Sequence, residues 1–597
     1  MNLLFDIETD KLDATVCHSL VIIDIDTEQL TSYADQQGYP SISKGLEVLS
    51  KAKLLAGHNI LDYDLPVLEN LYGFKYTGEL YDTLLISRLI WPDLKEDDFR
   101  FVKKPRGKDF PMKLIGSHGL KAWGHRLGNN KGDFAYSEER FANWSLEMQE
   151  YCEQDVKLNL QFQKLLVSKN PSEDSVKLEH DFARVIKLQE LHGFHFNVPE
   201  AEKLLATLQI RHAELTQELQ KAFPPWELKE PFVPKVNNKT RGYVKGVKTF
   251  KIKEIVFNPA SRDQIADRLQ TIYGWKPEDF TTSGKPKVDE TVLSKLVEYP
   301  EAKILSEYLL IAKRIGQLST GKNAWLKLVK DGKLHGRVNT NGCLTSRCTH
   351  SQPNIAQTPR VGTPYGTECR SLFHAPKGYK LVGADLSGLE LRCLAHYMAK
   401  FDGGKYGEVI LNGDIHEVNM KATGITNRTK VKNFIYGFLY GAGASKIGSM
   451  VGGNPADGQA LINKFLNRTP ALKKLRKAVD TKVKDTGTLS GLDGRILPIR
   501  HKHASLNTLL QCAGALLAKR ATVILYDLLK EKGYTFGKDY ALVAHVHDEV
   551  QLIAREGIAD EIGSSAVDAF RLAGRYYDFR IPIDGEFKVG NNWADTH

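Results

Sequence analysis

Two groups of acidic residues, far apart in the chain, carry the strongest chemical signal. The first opens the sequence, where Leu3-Leu4-Phe5-Asp6-Ile7-Glu8-Thr9 has the apolar content of a strand interrupted by acids. Strand side chains repeat every two residues, so Asp6 and Glu8 project from one face. Two carboxylates on a half-buried face repel each other unless a cation lies between them. Asp-x-Glu alone reads equally well as a solvated strand edge, so the segments that follow matter. His58-Asn59-Ile60-Leu61-Asp62-Tyr63-Asp64 comes directly after the apolar run 54–57. Tyr151-Cys152-Glu153-Gln154-Asp155 lies in a helical pattern that sets Tyr151 and Asp155 on one face.

A second acidic pair stands downstream. Leu381-Val382-Gly383-Ala384-Asp385 is an apolar strand ending in an acid, and residues 387–396 after it turn helical. Residues 543–552 read as a hairpin with His547, Asp548 and Glu549 at its tip. Either aspartate alone is an ordinary cap or turn residue. Between them Arg428, Lys432, Tyr436 and Tyr440 recur at every fourth position. Each such helical step drifts by about 40°, so the four form one stripe about 18 Å long. Two cations followed by two aromatics suit a triphosphate held by charge with a base stacked beyond it.

These residues need scaffolds to bring them together. The chain has 597 residues, too many for one core, and three to five packed units are expected. Short apolar strands (3–7, then 20–25) followed by helical patterns mark an α/β unit over the first 170 residues or so. Residues 175–222 carry a helical pattern suited to an extended stalk. Prolines, glycines and Asn237-Asn238 then break the pattern over 224–253. There Lys235, Lys239, Arg241, Lys245, Lys248, Lys251 and Lys253 interleave with Tyr243 and Phe250, as a solvated linker or as a mobile arm on a phosphate backbone. Gly316–Lys322 nearly spells a phosphate-binding loop. It lacks the final Ser or Thr and follows a helical pattern, so a thumb loop is expected there.

The net charge of +10 fits a polyanionic partner. Seven scattered cysteines form no C-x-x-C pair, which predicts reduced thiols rather than disulfides or a zinc ribbon. Asp6, Glu8 and Asp10 stand where a targeting peptide would be basic or apolar, and no run of about 18 apolar residues occurs. A cytoplasmic protein with no membrane partner is expected.

The ordered set Asp6-x-Glu8, Asn59…Tyr63-Asp64, Tyr151-x₃-Asp155 resembles the three exonuclease motifs of the DEDD superfamily. The resemblance implies that Asp6, Glu8, Asp64 and Asp155 hold two Mg²⁺ and that Tyr151 orients the attacking water. Asp64 is chosen over Asp62 because it follows an aromatic; Asp62 is read as a surface charge. From about residue 330 onward the chain resembles the polymerase domain of family A, the DNA polymerase I family. Asp385 with residues 387–392 matches motif A, Arg428–Gly441 motif B, and His547-Asp548-Glu549 motif C. Thr345-Ser346-Arg347 with Pro353-Asn354 and Gln357, and Gly494-Arg495 with Asn507 and Gln511, resemble the segments that meet template and primer.

This second resemblance implies primer 3′-OH attack on the α-phosphate of a dNTP. Asp385 and Asp548 are expected to ligate two Mg²⁺, for which Mn²⁺ can substitute, with Glu549 beside them as a further catalytic acid. Arg428 and Lys432, with His416, are expected on the β- and γ-phosphates. Tyr436 is expected to stack under sugar and base, with Tyr440 beyond it. Glu390 is expected to be a steric gate hydrogen-bonded to Tyr436. Arg347, Gln357, Arg495, Asn507, Gln511 and His547 are expected on the DNA.

The fold implied is a multidomain α+β protein: an RNase H-like 3′–5′ exonuclease domain followed by a right hand of palm, fingers and thumb. The division runs 1–170 exonuclease, 171–335 thumb with the basic arm at about 224–256, 336–400 first palm segment, 401–500 fingers, and 501–597 second palm segment. The wording of FIYGFLYGAG, NGDIH and NWADTH is similar to the replicative polymerases of T7-like podophages. A member of that branch carries a long thumb insertion that recruits host thioredoxin. Between Phe223 and Phe257 this chain is much shorter, so thioredoxin dependence is not expected. Primer-template DNA and dNTPs, with a different processivity factor or a helicase-primase, are the expected partners.

Overall fold

Alternation along the first strand decides the N-terminal unit. In the computed structural model, which describes residues 1–129 and 138–597, the strand Asn2–Thr9 (β1) is covered on both faces. Leu3, Phe5 and Ile7 belong to one core cluster. Leu4 belongs to another, with Cys152, Val156 and Leu160 of the long helix Leu146–Ser168. With β2 (Cys17–Asp24), β3 (Leu30–Tyr33), β4 (Leu54–Gly57) and β5 (Glu79–Asp82), it forms a sheet of order β3-β2-β1-β4-β5. The β1–β2 and β2–β3 pairs are antiparallel; β1–β4 and β4–β5 are parallel.

The helix Glu173–His192 departs from the stalk expected for it. Leu178, Phe182, Val185 and Ile186 sit in the same core as the C-terminal half of the chain, so this helix packs with that half. Its Glu179 is fully buried and meets Arg495 at 2.8 Å and Lys519 at 2.7 Å, with Asp493 on the other side of Arg495 at 2.6 Å. Two cations and two anions cancel there, which a dry interior requires. The stalk proper is Val198–Ala222 packed on Pro300–Ile315. Ala201, Leu208 and Leu215 recur every seventh residue along the seam, with Leu305, Tyr308 and Ile311 in the same cluster. A π-helical turn, Gly316–Thr320, continues the second of these helices, so the near-motif there has no preceding strand.

The basic arm is more ordered than its loop-like composition implied. Trp226–Phe232 (β6) and Thr249–Ile255 (β7) pair antiparallel, Trp226 opposite Ile255 and Phe232 opposite Thr249. Lys251 lies 4.8 Å from the Phe232 ring centroid, and Lys253 pairs with Glu230 at 2.8 Å.

In the segments expected as palm, β8 (Tyr379–Leu386), β9 (Tyr540–Val546), β10 (Glu549–Arg555) and β11 (Gly585–Gly590) form a four-stranded antiparallel sheet in the order β9-β10-β8-β11. The helices Ser505–Glu531 and Ala559–Tyr576 share its core. The first of them is apolar and long enough to cross a membrane, but 89% of its apolar window is buried inside the fold. The helices between residues 405 and 486, within the 401–500 segment expected as fingers, pack around Phe434, Phe438 and Phe465.

Glu179→Ala would leave Arg495 and Lys519 buried with too little negative charge. A loss of about 3–5 kcal/mol is expected, read as a clear fall in the thermal transition of the C-terminal half. A transition equal to wild type would contradict this view of the joint.

Candidate functional site

Strand register builds the first acidic site. β8 and β10 pair so that Asp385 stands directly opposite Glu549. The Leu386 amide donates to the Asp548 carbonyl at 3.1 Å, which ties the β9–β10 turn to the end of β8. That turn is tight enough to hold His547 at φ 60°, in the left-handed region. Asp385 keeps an open side chain. Its surroundings nevertheless push its pKa up to about 7, through partial burial of the carboxyl and then the charges of Asp548, Glu549 and Glu586. Burial likewise raises Asp548, with Glu549 adding to the effect and Arg347 and His547 opposing it.

Glu549 does not fit the catalytic part expected of it. Trp593 Nε1 and Gln551 Nε2 donate to its Oε1 at 2.7 and 2.6 Å, and His597 Nδ1 lies 3.4 Å from its Oε2. Burial alone would raise its pKa, but these partners and Arg370 hold it below the usual value. Its carboxylate is consumed in a buried network, and its charge adds to the rise at Asp385.

The fingers helix Arg428–Leu439 starts at Asn427, whose side chain accepts from the Lys430 amide. Val431, Phe434, Ile435, Phe438 and Leu439 are buried, which leaves Arg428, Lys432, Tyr436 and Tyr440 on the outer stripe. The gate contact differs from expectation. The Tyr440 hydroxyl, one turn further along than Tyr436, donates to Glu390, and Arg347 approaches the same carboxylate at 4.0 Å. Tyr436 stacks against Tyr440 with ring centroids 6.5 Å apart.

Arg428 pairs with Asp414, which also accepts from the His416 and Glu417 amides as the cap of the next helix. His416 is thereby set beside Arg428 and Lys432, and burial and both cations lower its pKa. Of the expected DNA contacts, Arg347, Gln357, Asn507, Gln511 and His547 keep solvent-reachable side chains. Arg495 does not. Its side chain is 1% exposed between Glu179 and Asp493, so it positions neighbouring segments instead of touching a ligand.

The second acidic site is a cavity of about 790 Å³ lined by Asp6, Glu8, Asp64, Tyr151 and Asp155. Ligand atoms of Asp6, Glu8 and Cys152 lie within 4.8 Å of one another, although the Cys152 thiol donates to the Asp6 carbonyl. Asp64 opens the helix Asp64–Tyr72 and is buried. Burial, and then the charge of Asp82, push its pKa up to about 7. Its Oδ1 is buried with no hydrogen-bond partner among the described residues. Asp62, by contrast, is open and paired with Lys187 at 2.5 Å and Arg337 at 3.1 Å, as its reading as a surface charge implied.

Asp82 is a supporting residue that sequence reasoning missed. Its carboxylate accepts from the Asn59 and Leu61 amides and caps the helix Thr83–Ile90 through Leu84 and Leu85. It therefore fixes the turn that delivers Asp64.

Residues 235–595 match the family described as DNA polymerase family A. The DNA-directed DNA polymerase of Escherichia phage T7 is 37% identical over 705 aligned positions, covering 99% of this chain and 99% of its own. That of Enterobacteria phage T3 is 37% identical over 708, covering 100% of both. The chain belongs to DNA polymerase family A. The POL domain of Pol1 from M. smegmatis, solved with DNA primer-template and dNTP, shares the fold with a TM-score of 0.74 at 17% identity, over 100% of this chain and 96% of that one.

This template-directed polymerase is thus a nucleotidyltransferase close to those of T7-like phages. Family A polymerases use divalent metal ions, generally Mg²⁺. The clusters of this polymerase fit such an ion on their own terms. Each gathers hard oxygen donors, each raises a carboxyl pKa by burial and then by a neighbouring acid's charge, and Asp64 offers an orphaned buried oxygen.

A raised carboxyl binds its proton more tightly in the native state than in the unfolded chain. The stability it contributes is full below the unfolded value of 3.8 and is lost as pH rises through about 7. In EDTA at pH 8, Asp385→Asn and Asp64→Asn are each expected to raise the thermal midpoint of the polymerase by about 2–4 °C, a gain that shrinks toward pH 5. A fall in midpoint at pH 8 for both variants would contradict the electrostatic reading.

Proposed function

We propose that this polymerase builds DNA at Asp385 and Asp548 and trims mispaired 3′ ends in the N-terminal cavity. The carrying observation is the pair of separate carboxylate clusters, one under the basic fingers helix and one beside Tyr151. Two Mg²⁺ at each cluster, or Mn²⁺ in their place, would supply the charge that activates the attacking oxygen and stabilises the leaving one. Asp385 and Asp548 hold the synthetic pair; Asp6, Glu8, Asp64 and Asp155 hold the other.

Arg428, Lys432 and the neutral His416 bind the β- and γ-phosphates of the dNTP, which takes the place that Asp414 now has on Arg428. Tyr436 lies under the sugar and base. Glu390, braced by Tyr440, fills the space of a ribose 2′-OH and selects dNTPs. Arg347, Gln357, Asn507, Gln511 and His547 contact the primer-template. The DNA and dNTP held by the M. smegmatis POL domain support the same ligand set here.

In the N-terminal unit, the order β3-β2-β1-β4-β5 with one antiparallel side supports the reading of an RNase H-like exonuclease. Tyr151 orients the attacking water there. The intended setting is the cytoplasm of an infected host. The T7 alignment runs over 705 positions against 597 residues here, so that relative carries segments this chain lacks. Thioredoxin is accordingly an unsuitable partner, and the basic arm, or another processivity factor or helicase-primase, holds the complex on DNA.

Asp385→Ala or Asp548→Ala should cut primer extension by about a thousandfold or more and spare excision of a mispaired end. Asp6→Ala with Glu8→Ala should do the reverse. Loss of both activities in either variant would contradict two separate sites. Replacing Lys235, Lys239, Lys245 and Lys248 by Ala should flatten the log–log salt dependence of duplex binding by about one unit for each phosphate no longer neutralised. An unchanged slope would remove the arm from the DNA.

A further inference from the structure

The N-terminal cavity has a cation whose purpose nothing above explains. Arg88 stands in the last turn of the helix Thr83–Ile90 and lines the cavity with the four carboxylates. Among the described residues no carboxylate lies within 4.0 Å of its guanidinium, and it makes no hydrogen bond. The acids whose fields reach it are Asp82 and Asp62. Both are engaged elsewhere. Asp82 accepts from the amides of Asn59, Leu61, Leu84 and Leu85. Asp62 pairs with Lys187 and Arg337.

A partly buried guanidinium without an anion bears a desolvation cost that a bound anion would offset. Burial does lower its pKa, though not enough to neutralise an arginine. Its neighbour His118 is held neutral, its pKa lowered to about 3 by burial and by the charges of Arg88 and Arg126, and its Nδ1 lies 2.7 Å from the Ser87 hydroxyl. His118 therefore adds no positive charge beside Arg88, and the other lysine or arginine lining the cavity among the described residues is Lys121. A planar fork of N–H donors matches two oxygens of a phosphodiester.

Position decides which phosphate. Arg88, Asn59 and Asn339 line both this cavity and a second one of about 400 Å³. The second is shared with palm residues Arg337, Val338 and Thr340. A strand arriving from the palm would pass Arg88 before its last nucleotide reached Asp6 and Glu8. We infer that Arg88 anchors an internucleotide phosphate on the 5′ side of the scissile linkage in a single-stranded 3′ end. This rests on the excision reading of the cavity and names its substrate contact.

The test uses the full-length protein, Mg²⁺ and short single strands carrying one uncharged methylphosphonate at the second, third or fourth linkage from the 3′ end. With all-phosphate strands, Arg88→Ala should raise KM by about 10- to 100-fold, with a smaller change in kcat and partial recovery in Arg88→Lys. In the wild type one of the three neutral linkages should impose a similar penalty, and that penalty should vanish in Arg88→Ala. A merely structural arginine would leave the penalty in place. The inference is overturned if wild type excises all three modified strands as readily as the parent. It is also overturned if the penalties of variant and modified linkage simply multiply. The wild-type series stands even if the variants misfold. Failure of wild type to excise the all-phosphate strand would overturn the excision reading itself, and this contact with it.

Discussion

Carboxylates forced together against their mutual repulsion are the constraint around which the molecule is built. Asp385 lies near the end of β8 and Asp548 in the β9–β10 turn, and they meet only because β8 and β10 pair in one register. Asp6 and Glu8 share a face of β1, and Asp64 is buried near them with an orphaned oxygen. Neither cluster stabilises the fold by itself. Each stands beside a further carboxylate that is fully satisfied and adds to the repulsion: Glu549 beside Asp385, locked by Trp593 and Gln551, and Asp82 beside Asp64, locked by backbone amides. A divalent cation turns the repulsion into attraction, so the same strain that weakens the ion-free chain makes the sites ready for metal.

The two sites are joined by charge as well as by chain. Ser172 donates to the Asp493 carbonyl, Arg500 Nε meets Asp93 at 2.8 Å, and Arg520 meets Asp174 at 2.6 Å. Asp62, two residues from Asp64, is tied to Arg337 of the palm. The buried set of Glu179, Arg495, Lys519 and Asp493 sits at the centre of this joint. On the proposed function, a 3′ end leaving one site for the other would travel between units tied by these pairs, of which the Glu179 set is dry and the Asp62–Arg337 pair is open to solvent. Arg88 lies along that route.

Much of this is legible in the residues. Strand periodicity puts Asp6 and Glu8 on one face, and four-residue spacing puts Arg428, Lys432, Tyr436 and Tyr440 on one stripe. Both follow from local geometry, which does not depend on tertiary context. What the sequence hides is tertiary. Arg495 reads as a DNA contact because its segment resembles the one that meets template and primer in the family, yet its partner Glu179 lies more than three hundred residues earlier. Glu390 reads as a partner of Tyr436, but only the packed angle between the two helices selects Tyr440 one turn away. Glu549 looks catalytic beside Asp548 until Trp593, near the other end of the C-terminal segment, takes its oxygen. The helix Glu173–His192 has the pattern of a stalk and the burial of a core element. The Asp82 and Asp414 caps do have local signals, an acid just before a helical run, and could be found from them.

The most direct measurement is anomalous scattering from crystals soaked in Mn²⁺ with an oligonucleotide and a dNTP bound. Peaks are expected between Asp385 and Asp548 and among Asp6, Glu8, Asp64 and Asp155. Ordered DNA and nucleotide with no anomalous density at either cluster would contradict the claim that these acids are gathered to grip metal.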